Sequence, residues 1–237
     1  MNQVNAKAVI VALDFPDAQS AIEFTQKFDQ PIYVKIGMEL FYAAGPSIVE
    51  TIKKQGHKIF LDLKFHDIPN TVAGATRSCL ELGADIMNLH AGGGSKMMLA
   101  AMEAITQSTV KEKPLLIAVT QLTSTNAEML KEELLIETAM EETVLSYAEN
   151  AKKCGLNGVV CSALEVRRIK DKLGEDFITV TPGIRPADGE IGDQARVVTP
   201  QMAREIGSDY IVVGRPITKA SNPVEAYQQI KRDFLGE

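Results

Sequence analysis

Short apolar runs recur along the chain and alternate with longer stretches whose hydrophobic residues return every three or four positions. Eight runs fit strands: 8–14, 32–37, 58–64, 85–90, 115–120, 158–162, 178–182 and 210–215. Helices are predicted between them, over about 17–28, 45–55, 70–82, 95–107, 138–154, 163–173, 200–206 and 223–234. Asp17 and Ser95 are candidate N-caps, and Gly56, Gly83, Gly155, Gly174 and Gly207 follow helix ends. Such alternation signals parallel βα units. Eight units in 237 residues give about 30 residues each, the usual size of a strand–helix repeat. The simplest closed arrangement is a single-domain (β/α)8 barrel of the TIM type, with a doubly wound open sheet as the alternative. Two longer interruptions, 121–134 and 183–198, follow the fifth and seventh strands. In a barrel both lie on the face where active sites are built, and the second suits a lid.

Alternation within the strands sorts their side chains into two faces. Val9, Val11 and Leu13 oppose Ala8, Ile10, Ala12 and Asp14; Ile32, Val34 and Ile36 oppose Tyr33, Lys35 and Gly37. In the third strand Ile59, Leu61 and Leu63 oppose Phe60, Asp62 and Lys64, and in the fourth Ile86, Asn88 and His90 share a face. With the aliphatic face packed on helices, the other points into the barrel. Asp14, Lys35, Asp62, Lys64 and His90 then surround one mouth. Isolated buried charges are costly, so neighbouring strands that end in alternating carboxylates and ammoniums imply a built site. At an effective dielectric near 20, two unit charges ~4 Å apart interact by about 4 kcal/mol, enough to hold the set ionised. Lys64 between carboxylates is arranged as a proton donor or carbanion stabiliser. Schiff-base chemistry needs the reverse setting, desolvation or a neighbouring cation.

Composition narrows the function. Hydrophobic residues make up 45% and charged residues 24%, with a net charge of −6 and no basic run. This argues against nucleic acid or an anionic membrane as the main partner. The apolar run that ends at Leu13 is too short for a signal or membrane span. Cys79, Cys154 and Cys161 form no C-x-x-C pair, which suits a reducing cytoplasm. Ala91–Ser95 is not G-x-G-x-x-G, so no dinucleotide site is read there. His66, Asp67 and Asp62 include metal-type ligands, but Lys64 among them repels a divalent cation, and no metal is expected. Cys161 reads as core. Thr123 and Ser124, just past the fifth strand, are candidates for hydrogen bonding to a substrate or within a turn. At the last strand, Gly214 permits close backbone approach and Arg215 offers a fork for phosphate. The seventh strand ends Thr181-Pro182-Gly183-Ile184-Arg185 and its loop carries Gln194, so two arginines and an amide converge where barrels bind phosphate.

These segments together resemble a known family. Ala12–Asp14 (ALD), Val34–Gly37 (VKIG), Phe60–Thr71 (FLDLKFHDIPNT), Ala118–Thr123 (AVTQLT), Thr181–Arg185 (TPGIR) and Val212–Arg215 (VVGR) are similar to the orotidine 5′-phosphate decarboxylases of bacterial type. The long third segment is highly specific. Its D-x-K-x-x-D core alone is shared with barrel enzymes acting on keto-sugar phosphates. The resemblance implies a (β/α)8 homodimer that converts orotidine 5′-phosphate to UMP and CO2 without metal or cofactor, in de novo pyrimidine biosynthesis. It implies that Lys64 protonates C6, that Asp62 sits near the departing carboxylate, and that Lys35 completes the charged network. It implies that Asp67, Ile68 and Thr71 reach the other subunit's site. Asp14 and Lys35 would bind ribose hydroxyls, Thr123 the pyrimidine edge, and Pro182 would line the substrate site. Arg185, Gln194, Gly214 and Arg215 would hold the phosphate. Two other classes stay open on the residues alone: a metal-dependent decarboxylase or aldolase of sugar phosphates, and a non-catalytic binder of a phosphorylated ligand.

Overall fold

A computed structural model describes residues 7–186 and 197–237. Eight parallel strands close into a barrel in chain order, each hydrogen-bonded to its sequence neighbours and the last to the first. They are β1 Ala8–Ala12, β2 Tyr33–Gly37, β3 Lys58–Phe65, β4 Ile86–His90, β5 Leu115–Val119, β6 Gly158–Val160, β7 Ile178–Thr181 and β8 Tyr210–Val213. The helices outside them are α1 Ala18–Thr25, α2 Met38–Ala44, α3 Ser47–Lys54, α4 Pro69–Leu80 and α5 Gly94–Gln107. They continue as α6 Met140–Lys153, α7 Ala163–Leu173, α8 Pro200–Ile206, α9 Arg215–Thr218 and α10 Pro223–Leu235. The closed TIM barrel, not the open sheet, is the architecture.

The two strand faces build two cores, divided as the alternation predicts. Val9, Val11, Val34, Ile36, Ile59 and Leu61 join the helices in an outer shell. Ile10, Ala12, Tyr33, Phe60, Ile86, Ile117, Ile178, Val180, Tyr210 and Val212 fill the barrel interior. The interior is therefore a packed plug beneath the mouth, not a pore. A Cβ on Gly158 would lie 2.2 Å from the Ile178 carbonyl oxygen, so only glycine lets β6 approach β7.

The lower rim is pinned by polar side chains just before three of the four even-numbered strands. Asp85, Asn157 and Asp209 each precede an even-numbered strand. Their oxygens accept the backbone N–H of Ile59 (2.7 Å), Leu116 (2.8 Å) and Thr179 (2.8 Å), each the second residue of the preceding odd-numbered strand. Beside Asp209, the buried Lys170 ammonium lies 2.6 Å from its carboxylate and donates to the carbonyls of Glu175 and Phe177.

Four local expectations change. The helix foreseen at 45–55 is α3 alone, because Gly45 at φ 72° and Pro46 separate it from α2, which directly follows β2. The strand end expected at 214–215 is instead the start of α9. Ser95 is not an N-cap: the chain enters α5 through a 3₁₀ turn, Ala91–Gly93, and the Ser95 hydroxyl donates to Asn150 on α6. The interruption 121–134 contains a π-helical turn, Met129–Glu133. Asp17 does cap α1, accepting from the Ser20 N–H, and all five helix-ending glycines have φ between 71° and 98°. Among the described residues, no helix is long and apolar enough to cross a membrane.

Candidate active site

At the upper mouth the charged residues form a chain of alternating sign across three strands. Asp14 lies just beyond β1, Lys35 on β2, and Asp62 and Lys64 on β3. Lys35 Nζ is 3.1 Å from Asp14 Oδ1 and 3.5 Å from Asp62 Oδ2, while Lys64 Nζ donates to Asp62 Oδ1 at 2.7 Å. The inner side chains are well covered, at 13% exposure for Lys35 and 10% for Asp62; Asp14 stands at the wet edge. Pairs this close and this shielded from water interact several-fold more strongly than surface ion pairs.

Lys64 reaches this wall by an irregular route. Leu61 pairs with Met87 and Phe65 with Leu89, so residues 62–64 of β3 face the single residue Asn88 of β4. Within this bulge Lys64 adopts φ 51°, a left-handed conformation that costs a non-glycine residue about 1–2 kcal/mol. Bulges with such strain concentrate where a side chain must be re-aimed. Plain alternation therefore names the right wall but not the geometry that builds it.

The chain of charges borders a cavity of about 190 Å³. Lys35, Asp62 and Lys64 form its polar wall; Phe60, Val160 and Val212 are among its apolar lining; Thr123 and Pro182 also face it. Gln121 and Leu122 line it as well, and sequence reasoning did not single them out. Their signal was present only in their place after β5, where the loops of a barrel carry function. An ammonium beside an apolar cavity provides fixed positive charge where little water competes for it.

The remaining predicted residues fall into two groups. Arg185 is buried, its guanidinium donating to the Ile184 carbonyl, and its own N–H donates to the Val198 carbonyl, tying together the two ends of the long loop. Gly214 caps α9 and Arg215 is its exposed first residue. An added Cβ at Gly214 would meet Ala12 and Asp14 at 3.6 and 3.7 Å, ordinary contact distances. The protein's own packing thus leaves room there. Gln194 lies outside the described residues. Asp67, Ile68 and Thr71 are all exposed, and the Asp67 carboxylate accepts the N–H of Ile68 at 2.6 Å. Among the described residues no ion pair joins Asp67 to the cluster. His90, expected at the mouth, lies half-buried with its ring 5.5 Å from that of His66. Burial, then His66 and Lys64, hold its pKa below the ordinary histidine value, against the pull of Asp62. Among the described residues no group of three or more His, Cys, Asp or Glu is placed to hold a metal ion.

Comparison with known proteins gives the site its context. Residues 7–230 match the family model described as "Orotidine 5'-phosphate decarboxylase / HUMPS family". The chain belongs to this family. It is 54% identical to an orotidine 5′-phosphate decarboxylase of Bacillus cytotoxicus, over 98% of each chain. Its fold matches a crystal structure of orotidine 5′-phosphate decarboxylase from Lactobacillus acidophilus with a TM-score of 0.87 and 45% identity, over 96% of this chain and 99% of the other. A structure of an uncharacterised conserved protein from Geobacillus kaustophilus aligns with a TM-score of 0.86 and 47% identity, over 95% of this chain and 99% of the other. Such coverage leaves the charged wall and the cavity within a shared framework.

Proposed function

We propose that this chain decarboxylates orotidine 5′-phosphate to UMP and CO2, with its own side chains supplying the chemistry and no cofactor. The observation that carries the reading is the Lys64 ammonium, held 2.7 Å from Asp62 on the wall of a cavity with apolar lining. Loss of CO2 leaves an electron pair on C6 with no adjacent group to accept it. A fixed ammonium facing that carbon stabilises the pair as it forms and then delivers the proton. Asp62 lies near the departing carboxylate and keeps Lys64 aimed. Lys35 links Asp62 to Asp14, and this pair takes the ribose hydroxyls, while Thr123 reads the pyrimidine edge beside Pro182.

Arg185, Gln194, Gly214 and Arg215 grip the phosphate. Binding energy from the phosphate, remote from C6, then orders the reacting end. The working unit is a homodimer: Asp67, Ile68 and Thr71 are exposed in one chain, and each completes the second chain's site. Ile68 supports this, since 67% of an aliphatic side chain stands in solvent beside the mouth. The setting is the cytoplasm.

The test is the absorbance decay of orotidine 5′-phosphate in the presence of EDTA, for the wild type and Lys64→Ala. Turnover that survives chelation and is abolished by the substitution, with UMP still bound, is the expected result. Wild-type-like turnover in the variant overturns the role of Lys64, and loss of wild-type turnover on chelation overturns the cofactor-free chemistry.

A further inference from the structure

We propose that Asn88 is the positioning residue of the reaction, the group that makes Asp62 and Lys64 one unit. This rests on the decarboxylase reading. The side chain of Asn88 is 1% exposed and both ends of its amide are engaged by β3. Its Nδ2 donates to Asp62 Oδ1 at 2.7 Å, and its Oδ1 accepts the backbone N–H of Lys64 at 2.8 Å. The carboxylate oxygen it holds is the one that receives the Lys64 ammonium. One amide therefore fixes the carboxylate, the backbone of the lysine and, through the carboxylate, the lysine's ammonium.

The need for such a group follows from the bulge. In a regular ladder the N–H of Lys64 would pair with a carbonyl of the neighbouring strand or point away from it. Here three residues, 62–64, stand opposite Asn88 alone, and Lys64 sits at φ 51°. Buried backbone donors that leave the ladder must find another acceptor. The Asn88 carbonyl supplies one, and a conformation rare for lysine is thereby held in place. Asparagine suits the position because it offers a donor and an acceptor on one planar group. Aspartate has the shape but lacks the donor when ionised, and leucine has the size but neither function. No other side chain on β4 bonds to both partners.

Two variants test this by separating the amide's functions. Asn88→Ser shortens the side chain and breaks both contacts while leaving a small polar group. Asn88→Asp keeps the acceptor for Lys64 and sets a second carboxyl against Asp62. For Asn88→Ser, kcat should fall by about 100-fold, the order seen for displacing a reacting group by ~1 Å. The UMP inhibition constant should stay within about threefold, because the lost interaction acts in the transition state and not on the bound nucleotide. For Asn88→Asp, the ratio of variant to wild-type kcat should rise as pH falls. A protonated carboxyl at 88 can again donate to Asp62; the other charged and titratable groups around the pair, Lys35, Lys64 and His90, are the same residues in both proteins. A purely structural role would not produce that pH-dependent recovery. A kcat within about threefold of wild type for Asn88→Ser, or a pH-independent ratio for Asn88→Asp, overturns the proposal. Failure of both variants to fold also overturns it, by making Asn88 a general support of the barrel. If the wild type itself does not turn over orotidine 5′-phosphate, the decarboxylase reading fails first, and the two failures are thereby told apart.

Discussion

Replacing Gly37 by alanine probes the charged wall with one methyl group. Gly37 ends β2 with φ −89° and ψ −179°, extended backbone that any residue adopts. Alanine therefore adds no strain, and a stiffer unfolded chain favours folding by about 0.4–1 kcal/mol. The new Cβ would nevertheless lie 2.9 Å from Lys35 Nζ and 3.8 Å from Asp14 Oδ1. Because the ammonium is the far end of a flexible side chain, it moves rather than the backbone. Reaching ordinary contact displaces it by about 0.5 Å. At an effective dielectric near 20, stretching the 3.5 Å pair with Asp62 by that amount weakens it by about 0.6 kcal/mol, and the 3.1 Å pair with Asp14 by about 0.7 kcal/mol. The gain and the losses nearly offset in stability, so the unfolding temperature should stay within about 3 °C of wild type. Catalysis has no such offset, since the displaced charge anchors Asp62. We expect kcat/KM to fall by about 10- to 100-fold. Absorbance decay of orotidine 5′-phosphate and thermal unfolding followed by circular dichroism give both quantities on one preparation. Unchanged kcat/KM in a folded variant would refute the idea that Lys35 must sit where it does.

Three further outcomes are expected. Lys170→Met should lower stability by about 3–5 kcal/mol, because it leaves the Asp209 carboxylate without its buried cation. This corresponds to roughly 6–20 °C in unfolding temperature. Since the pair lies at the opposite rim from the site, kcat at 25 °C should hold; a matching fall in kcat would show the two ends to be coupled. Arg215→Ala should raise the KM for orotidine 5′-phosphate by roughly 10- to 100-fold, the loss of one charge-assisted hydrogen bond, and leave binding of the unphosphorylated nucleoside unchanged. An unaltered KM would move the phosphate site elsewhere. His57, buried before β3, accepts the Ile32 N–H on Nδ1, and burial lowers its pKa below the ordinary value. The unfolded chain thus takes up the proton first. The contribution of this group is complete above about pH 6.5 and is lost as pH falls toward the folded-state pKa. His57→Gln should flatten the decline of stability between pH 7 and 5 seen by chemical denaturation, and an unchanged slope would count against this assignment.

What the sequence makes legible here follows from how a parallel barrel is wired. Every strand runs the same way, so all carboxyl ends meet at one mouth, and alternation alone separates lumen from shell. That is why Ile10 and Phe60 could be set against Val9 and Ile59, and why Lys35 and Asp62 could be grouped before any distance was known. Features that depend on a neighbour's identity stay hidden from such a pattern. Lys64 joins the inward wall through a bulge opposite Asn88, a residue that alternation treats as one more inward position on β4. Met38–Ala44 forms its own helix because Gly45 and Pro46 break the chain, while the hydrophobic spacing runs through both. Asp67, Ile68 and Thr71 lie farther still from what one chain's pattern specifies. Their place after β3 marks them as mouth residues, but their side chains stand in solvent, and nothing in one chain's alternation gives an exposed aliphatic, a carboxylate and a hydroxyl a common task. The charged wall is thus an intrachain consequence of strand direction. Completion of the site across a symmetric interface belongs to the homodimer we propose, and there a dimer with one Asp67→Ala subunit should lose turnover in the partner's site alone.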